Sequence, residues 1–516
     1  MNGRDATLLF MQMAACLAPP NGGASPVPPT PPDPPTPDPP ALDVVWCVMG
    51  TGQSLSVGST SEPVITGYGT GFNNFKLGYD TGTIPWLSTV LVPLEEYMRP
   101  LSASPYPYNI QGQTVHTIMG AQISTLVQAR TGHAYVTYHG AFGANGWNMD
   151  LIEKNGIQKP PTPTDPAGIG YSYQAMLDEL AISIPFIVAQ ENRVAKFRAG
   201  TLTHGESDYS SPGYGARVRQ LQQDQKADLF ALSGQPNTDP YSLIASQACG
   251  FPAEGSTGVT VSAASLWNTS VAYPGEIVVS GPKYQLEYFT DNIHLTNVSE
   301  NRLGVKYGQV YDALIRGTGW TPLQPNGITV LGSLITLTFD IPVTPLQWDE
   351  TIVVHQVAHT EWANGRGFEV MDSTGDLTIT SATIVGETVQ ILLASVPSTG
   401  LRVRYAMVND GTGYRRGGQL VDSDAFVGVD LQVYQATMTN GSPVATIVSP
   451  ALKHQARDNV ASGAFLTGAT ILSVAGSDIT MSQNWGGPSG THPLTIWFDE
   501  RNYLVQFDLA VPYAAP

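Results

Sequence analysis

A chain of 516 residues is too long for one hydrophobic core, and about two to four domains is what its length implies. Charged residues make up only 13% while Gly (53) and Pro (40) are plentiful, a balance of turn-rich, β-containing extracellular proteins rather than helical cytosolic ones. The net charge of −18 and the absence of clustered Lys and Arg argue against a polyanion-binding face, so no nucleic-acid partner is expected.

The N-terminal stretch Ala6–Ala18 is apolar but too short to span a bilayer, and only Arg4, offset by Asp5, precedes it. Residues 1–18 therefore read as an anchor or signal-like peptide. Met13–Cys16 loosely resembles a lipoprotein processing site, but lipid anchoring through Cys16 is the weaker alternative to docking on a partner. The three cysteines, Cys16, Cys47 and Cys249, lie in unlike contexts and define no disulfide framework. Residues 19–41 are proline-rich, which predicts an extended tether.

From 42 to 320 the pattern alternates β and α. Strands are predicted at Val44–Met49, Ala134–His139, Phe197–Thr203, Tyr241–Gln247 and Ile277–Ser280. Helices are predicted at Tyr171–Ile184, Ala216–Leu232 and Asn297–Ile315, the last started by Thr296 or by a capping box of Asn297 with Glu300. Such alternation implies an α/β domain, a mostly parallel sheet between two helical layers. About eighty loop-rich residues separate the first two strands, and Trp86, Tyr97, Tyr106 and Tyr108 in that insertion either stack on sugar rings together with Trp147 or pack its own small core.

Beyond 320 the period becomes two, as in Ile335, Leu337, Phe339 and Ile341. An antiparallel β-sandwich is expected over 321–433 and a small all-β domain over 434–516, with a hairpin at Leu494–Val511. On this reading a chain ending near Thr321 folds by itself.

The chemistry gathers where predicted strands end. Val44–Gly58 is a charge-free β-branched run closed by Gly50, Thr51 and Gly52, which puts Ser54 at the carboxyl edge of the sheet, where open α/β sheets hold ligands. Its plain alternative is a strand-to-helix turn whose serines cap the next helix. Gly143–Trp147, His204–Asp208 and Asp291–Thr296 also follow strands and can converge with Ser54. A hydroxyl nucleophile needs a base, an acid that orients the base, and donors for the oxyanion. Asp291 and His294, three residues apart, can supply the first two. His355 and His359 have the spacing of a metal pair, but Gln356 stands where a glutamate would act as base and the run is β-patterned, so no metal site is expected. Gly67–Phe72 reads as a glycine-rich loop rather than a phosphate cradle.

Gly52-Gln53-Ser54, Gly146, Gly205-Glu206-Ser207-Asp208 and Asp291-x-x-His294 together resemble the ordered blocks of the SGNH (GDSL-like) hydrolases, closest to the branch of sialate O-acetylesterases and acetylxylan esterases. The resemblance implies a three-layer α/β/α esterase domain without cofactor, with Ser54 as nucleophile, His294 as base and Asp291 as its orienting acid. It implies an oxyanion hole from the N–H groups of Ser54 and Gly146, with His204, in place of the branch's usual glutamine, either as third donor or, equally, as a satisfied buried histidine next to a strand end. Gln53, Asn145, Trp147 and Glu206 fall on the substrate side of the same blocks, Glu206 with loop bracing as its other role. The expected substrate is an O-acetylated polysaccharide. Anchor peptide, tether, esterase and β appendages are similar to phage tail or spike esterases, which implies an extracellular, virion-associated setting and virion or cell-surface partners for the N-terminal peptide. A glycan-binding spike protein that kept the fold and lost turnover is the alternative.

Overall fold

The computed structural model describes residues 43–67, 72–78, 90–99, 112–159, 170–249, 257–354, 359–410 and 417–512. The stretches expected to form an anchor peptide (1–18) and a tether (19–41), with Cys16, and also Trp86, Tyr106, Tyr108 and His355 lie outside the described residues.

The first part of the chain contributes strands β1 (Val44–Gly52), β2 (Phe75–Leu77), β3 (Leu91–Pro93), β4 (Val136–Ala141), β5 (Val194–Phe197), β6 (Ala199–Thr203), β7 (Ser242–Ser246), β8 (Thr257–Val259) and β9 (Ile277–Gly281). Between and after them lie helices α1 (His116–Thr131), α2 (Met149–Ile152), α3 (Ser172–Glu191), α4 (Tyr214–Ser233), α5 (Val261–Ala272) and α6 (Asn297–Ile315). The main sheet runs β3-β2-β4-β1-β6-β7-β9 and is parallel apart from the β2–β3 pair. The strand predicted at Phe197–Thr203 is interrupted: β5 pairs with the first half of β1 and β6 with its last residues.

The pleat of β4 shows that both faces of the sheet are covered. Tyr138 donates its hydroxyl to Glu179 of α3 (2.6 Å), whereas the next residue, His139, meets His116 of α1 (3.2 Å). Successive side chains of a strand point to opposite faces, so α1 and α3 lie on opposite sides. Burial of both faces explains the unbroken apolar composition of β1, in which Val45, Cys47 and Val48 are inaccessible to solvent. No described helix is long and apolar enough to cross a membrane.

Helix α6 starts differently from the capping box. Thr296 is the N-cap, its Oγ1 accepting from the Ser299 N–H (3.3 Å), while Asn297 donates its amide to the Pro63 carbonyl (2.6 Å) and Glu300 is buried. The hydroxyl of Thr296 reaches the free N–H of the first turn, which leaves Asn297 available to tie the helix to the loop beyond Ser54.

The C-terminal part is antiparallel β. One sheet joins Gln324–Leu331, Leu334–Asp340, Thr388–Leu393 and Ile379–Val385; a second joins Gly375–Asp376, Phe368–Asp372, Arg402–Tyr405 and Phe507–Ala510. Six strands between Gln432 and Trp497 close into a barrel with its own apolar core. The expected Leu494–Val511 hairpin does not form. Gly490–Trp497 belongs to the barrel, and the chain then crosses back so that Phe507–Ala510 pairs with Arg402–Tyr405.

That return welds the antiparallel sheets to the α/β domain. Val408–Asp410 pairs with β8, the Gln247 side-chain amide donates to the Gln506 carbonyl (2.7 Å) and accepts the Gln506 N–H (2.8 Å), and Tyr284 donates to the Leu504 carbonyl (2.6 Å). One apolar core runs from β1 to Phe507. A cut at Thr321 would strip these partners from Gln247 and Tyr284, so the structure does not support the autonomous fold expected for such a fragment.

Candidate active site

The serine turn is built by a close backbone approach. β1 ends at Gly52 with φ of +144°, and a Cβ there would lie 2.2 Å from the Thr203 carbonyl oxygen of β6, so only glycine fits. The Gln53 N–H donates to that same carbonyl (3.3 Å). A 3-10 turn, Ser54–Val57, follows, held by Ser56 Oγ donating to the Gln53 carbonyl (2.6 Å) and the Ser59 N–H donating to the Ser54 carbonyl (3.1 Å). Ser54 is thereby fixed at the carboxyl edge of the sheet.

The facing side chains come from a short hairpin after β9. The Phe289 N–H donates to the His294 carbonyl (2.7 Å), and the Thr296 N–H to the Glu287 carbonyl (3.2 Å). At its tip Asn292 takes φ of +57°, a left-handed conformation that asparagine tolerates better than most residues. Asp291 Oδ1 accepts the N–H groups of Ile293 (2.9 Å) and His294 (3.0 Å), and its Oδ2 meets His294 Nδ1 at 2.6 Å. His294 Nε2 then lies 2.7 Å from Ser54 Oγ. Partial burial raises the Asp291 pKa, but the bonds from the imidazole and the two N–H groups outweigh it and hold the carboxyl below its ordinary value. An ionised Asp291 fixes the proton on Nδ1 and leaves Nε2 free to accept from Ser54, the arrangement that activates a hydroxyl for attack on a carbonyl carbon.

Gly143–Trp147 closes against the same turn. The Ala144 N–H donates to the Gly52 carbonyl (3.3 Å), and a Cβ on Gly143 would fall 1.8 Å from Ser56 Oγ. Asn145 and Gly146 are exposed and Trp147 is half-buried, so all three stand at the rim. Among the described residues nothing accepts from the N–H of Ser54 or of Gly146. Two unpaired donors in segments packed against each other at a sheet edge can receive an oxyanion.

His204 is buried with both ring nitrogens engaged: Nε2 donates to the Trp147 carbonyl (2.9 Å) and Nδ1 accepts from the Tyr214 hydroxyl (3.1 Å), on which the ring stacks. It offers no free N–H to an oxyanion and instead ties down the Gly146 loop. Asp208 helps by accepting the Met149 N–H (2.8 Å). Gln53 is buried too, its Oε1 accepting the Ser207 N–H (2.9 Å), and Glu206 is fully buried on Lys283 (2.9 Å). Both side chains are buried rather than presented at the rim.

Sequence reasoning missed Lys283, because nothing in Gly281-Pro282-Lys283-Tyr284 signals a buried ammonium. Burial works against the charge on each partner, but each stabilises the other's, so Glu206 is held below and Lys283 above its ordinary pKa. Glu206 Oε1 also accepts the Cys249 N–H (3.2 Å), which joins the strand ends of β6 and β7 beneath the site. Glu206→Gln leaves Lys283 without its counter-charge and is expected to lower stability by about 3–5 kcal/mol, read by denaturant unfolding. A loss below about 1 kcal/mol would show that water or another acid neutralises Lys283.

His204→Gln tests the loop-holding role. The amide can replace one of the two imidazole bonds, so turnover is expected to fall less than in His204→Ala, in which the Trp147 carbonyl loses its donor and the Gly146 N–H its fixed position. For His204→Ala a fall on the order of 10² is expected, in the range of losing one oxyanion donor. Turnover within about twofold of the parent would remove His204 from any role in the site.

A scan against protein-family models finds no match, and a search of curated proteins finds none. Among solved structures the chain is similar to a carbohydrate acetylesterase from Xanthomonas citri, at 14% identity over 74% of this chain and 78% of that one, with a TM-score of 0.45. It is also similar to a protein from Arabidopsis thaliana (14% identity, 52% of this chain, 97% of that one, TM-score 0.37) and to NanS (11%, 54%, 98%, 0.33).

Proposed function

We propose that the chain is a serine esterase that removes O-acetyl groups from a polysaccharide. The observation that carries the reading is the continuous hydrogen-bonded chain from Asp291 through His294 to Ser54, at the carboxyl edge of the sheet.

In the reaction, Ser54 Oγ attacks the acetyl carbonyl carbon as its proton passes to His294 Nε2, and Asp291 stabilises the imidazolium. The N–H groups of Ser54 and Gly146 receive the oxyanion. Collapse breaks the bond to the sugar oxygen, which leaves with the proton from His294, and acetyl-Ser54 remains. Water then attacks this ester, His294 takes its proton, and acetate departs as the proton returns to Ser54.

A sugar polymer as the alcohol side is supported by the rim. Asn145 and Gly146 are exposed on one flank and Phe289, 44% exposed, lies on the hairpin flank, so among the described residues these flanks leave room for a bulky alcohol. The half-buried Trp147 offers a surface on which a sugar ring can stack. The blocks around Ser54 and His294 resemble those of sugar O-acetylesterases, which favours acetyl as the acyl group. Acetate release from O-acetylated polysaccharides by the purified full chain tests the proposal. Failure to release acetate from any such polymer or from simple acetyl esters would overturn it.

A further inference from the structure

We infer that the barrel segment Lys453–Asp458 is a positioning element for His294 and Asp291, so that the esterase site is completed by the C-terminal barrel; the inference deepens the esterase reading and rests on it. The hairpin that carries both residues is closed by its own bonds, but its placement on the sheet depends on contacts to other segments. Its flank is held from outside. Arg457 Nη1 donates to the Gln285 carbonyl (3.1 Å), two residues before the hairpin, while Nη2 of the same guanidinium reaches Asp349 of the sandwich (3.4 Å). The Gln455 amide, oriented to satisfy its neighbours, donates to Glu287 Oε2 (2.6 Å) and accepts from Arg302 Nη1 (2.6 Å). Arg302 in turn pairs with Asp458, and both are buried.

The same segment also reaches the loop beyond the Ser54 turn, which itself bonds the hairpin through Ser61 Oγ and the Leu295 carbonyl (2.9 Å). Lys453 Nζ donates to the Thr66 carbonyl (2.7 Å), on the loop that continues from the Ser54 turn. One barrel loop therefore bonds both to the strand-end loop of the nucleophile and to the base of the hairpin that bears the imidazole. Its own backbone is forced into place: Arg457 has φ of +77°, unusual for a residue with a Cβ, and its N–H donates to the Ile471 carbonyl (2.7 Å). A backbone held in that state by its surroundings aims the guanidinium at Gln285. The Ser54–His294 contact depends on the hairpin's placement relative to β1, and a displacement of about 1 Å can lower turnover about 100-fold.

The test uses the full chain and 4-nitrophenyl acetate, with single-turnover measurements where rates are low. Arg457→Met is expected to lower kcat about 10- to 100-fold with KM changed less than about threefold, while Arg457→Lys, still able to donate to Gln285, retains most of the parent rate. In an Asp291→Asn background the Arg457→Met change is expected to cost less than about threefold, because the hairpin has then already lost what Arg457 positions. Gln455→Leu, which leaves Arg457 and Asp349 in place, is measured alongside; it decides by the same criteria should Arg457→Met prove insoluble. An unchanged kcat, or an equal fold-loss with and without Asp291, overturns the inference while leaving the esterase reading intact. A parent chain that turns over no acetyl ester overturns both.

Discussion

Ser54→Ala is expected to reduce acetate release by a factor on the order of 10⁶, to background, because the atom that forms the acyl-enzyme is gone. The substitution removes one oxygen from a turn whose other bonds come from Ser56, Ser59 and Gln53, so the fold should be unaffected. Binding of acetylated polymer, made by the rim, should persist. Initial-rate assays paired with a binding isotherm on the same polymer separate the two effects. Retention of more than about 1% of the parent turnover would mean that a different group attacks the ester.

Asp291→Asn should lower kcat about 10⁴-fold, with little loss of stability. The asparagine oxygen can still accept the N–H groups of Ile293 and His294, so the hairpin tip is retained. Its amide N–H, however, faces His294 Nδ1, which must then become an acceptor. The imidazole proton moves to Nε2, where it points at Ser54 and blocks proton transfer. Steady-state rates and thermal unfolding of the variant check the split. A variant within about tenfold of the parent would show that His294 keeps its tautomer without the carboxylate.

The parts of the site legible in the sequence are those whose chemistry admits few alternatives. A charge-free β-branched run closed by Gly50 and Gly52 marks a buried strand and its turn, and an Asp-x-x-His before a helix start can bend only a few ways; Ser54, Asp291 and His294 indeed meet. Helix α1 was not legible because it is buried nearly all round through its first nine residues, His116–Ser124, and so shows no apolar stripe of helical period. The sequence leaves His204 open between oxyanion donor and satisfied buried histidine for a different reason. Its residue type suits an N–H donor, but its partners, Trp147 and Tyr214, come from other segments, and only the folded chain shows that both nitrogens are engaged. The buried Glu206–Lys283 pair likewise spans 77 positions and leaves no local pattern.

Domain borders were blurred by the same non-locality. Alternation over Ile335–Ile341 identifies strands correctly, yet strand pattern alone does not say which sheet a strand joins. Phe507–Ala510 returning past the barrel to Arg402–Tyr405 is a long-range pairing, and it couples the antiparallel sheets to the α/β core through Gln506 and Leu504.

The central claim is that Ser54 carries the acetyl group between sugar and water. Its most direct test is to react the parent chain with a slowly hydrolysed acyl ester, quench in acid, and map the adduct by peptide mass spectrometry. The account predicts a single acyl group on Ser54, formed at the rate of the first product burst and absent in His294→Ala over the same interval. Steady release of acetate with no adduct at Ser54, or an adduct on another residue that forms and decays at the turnover rate, would contradict it.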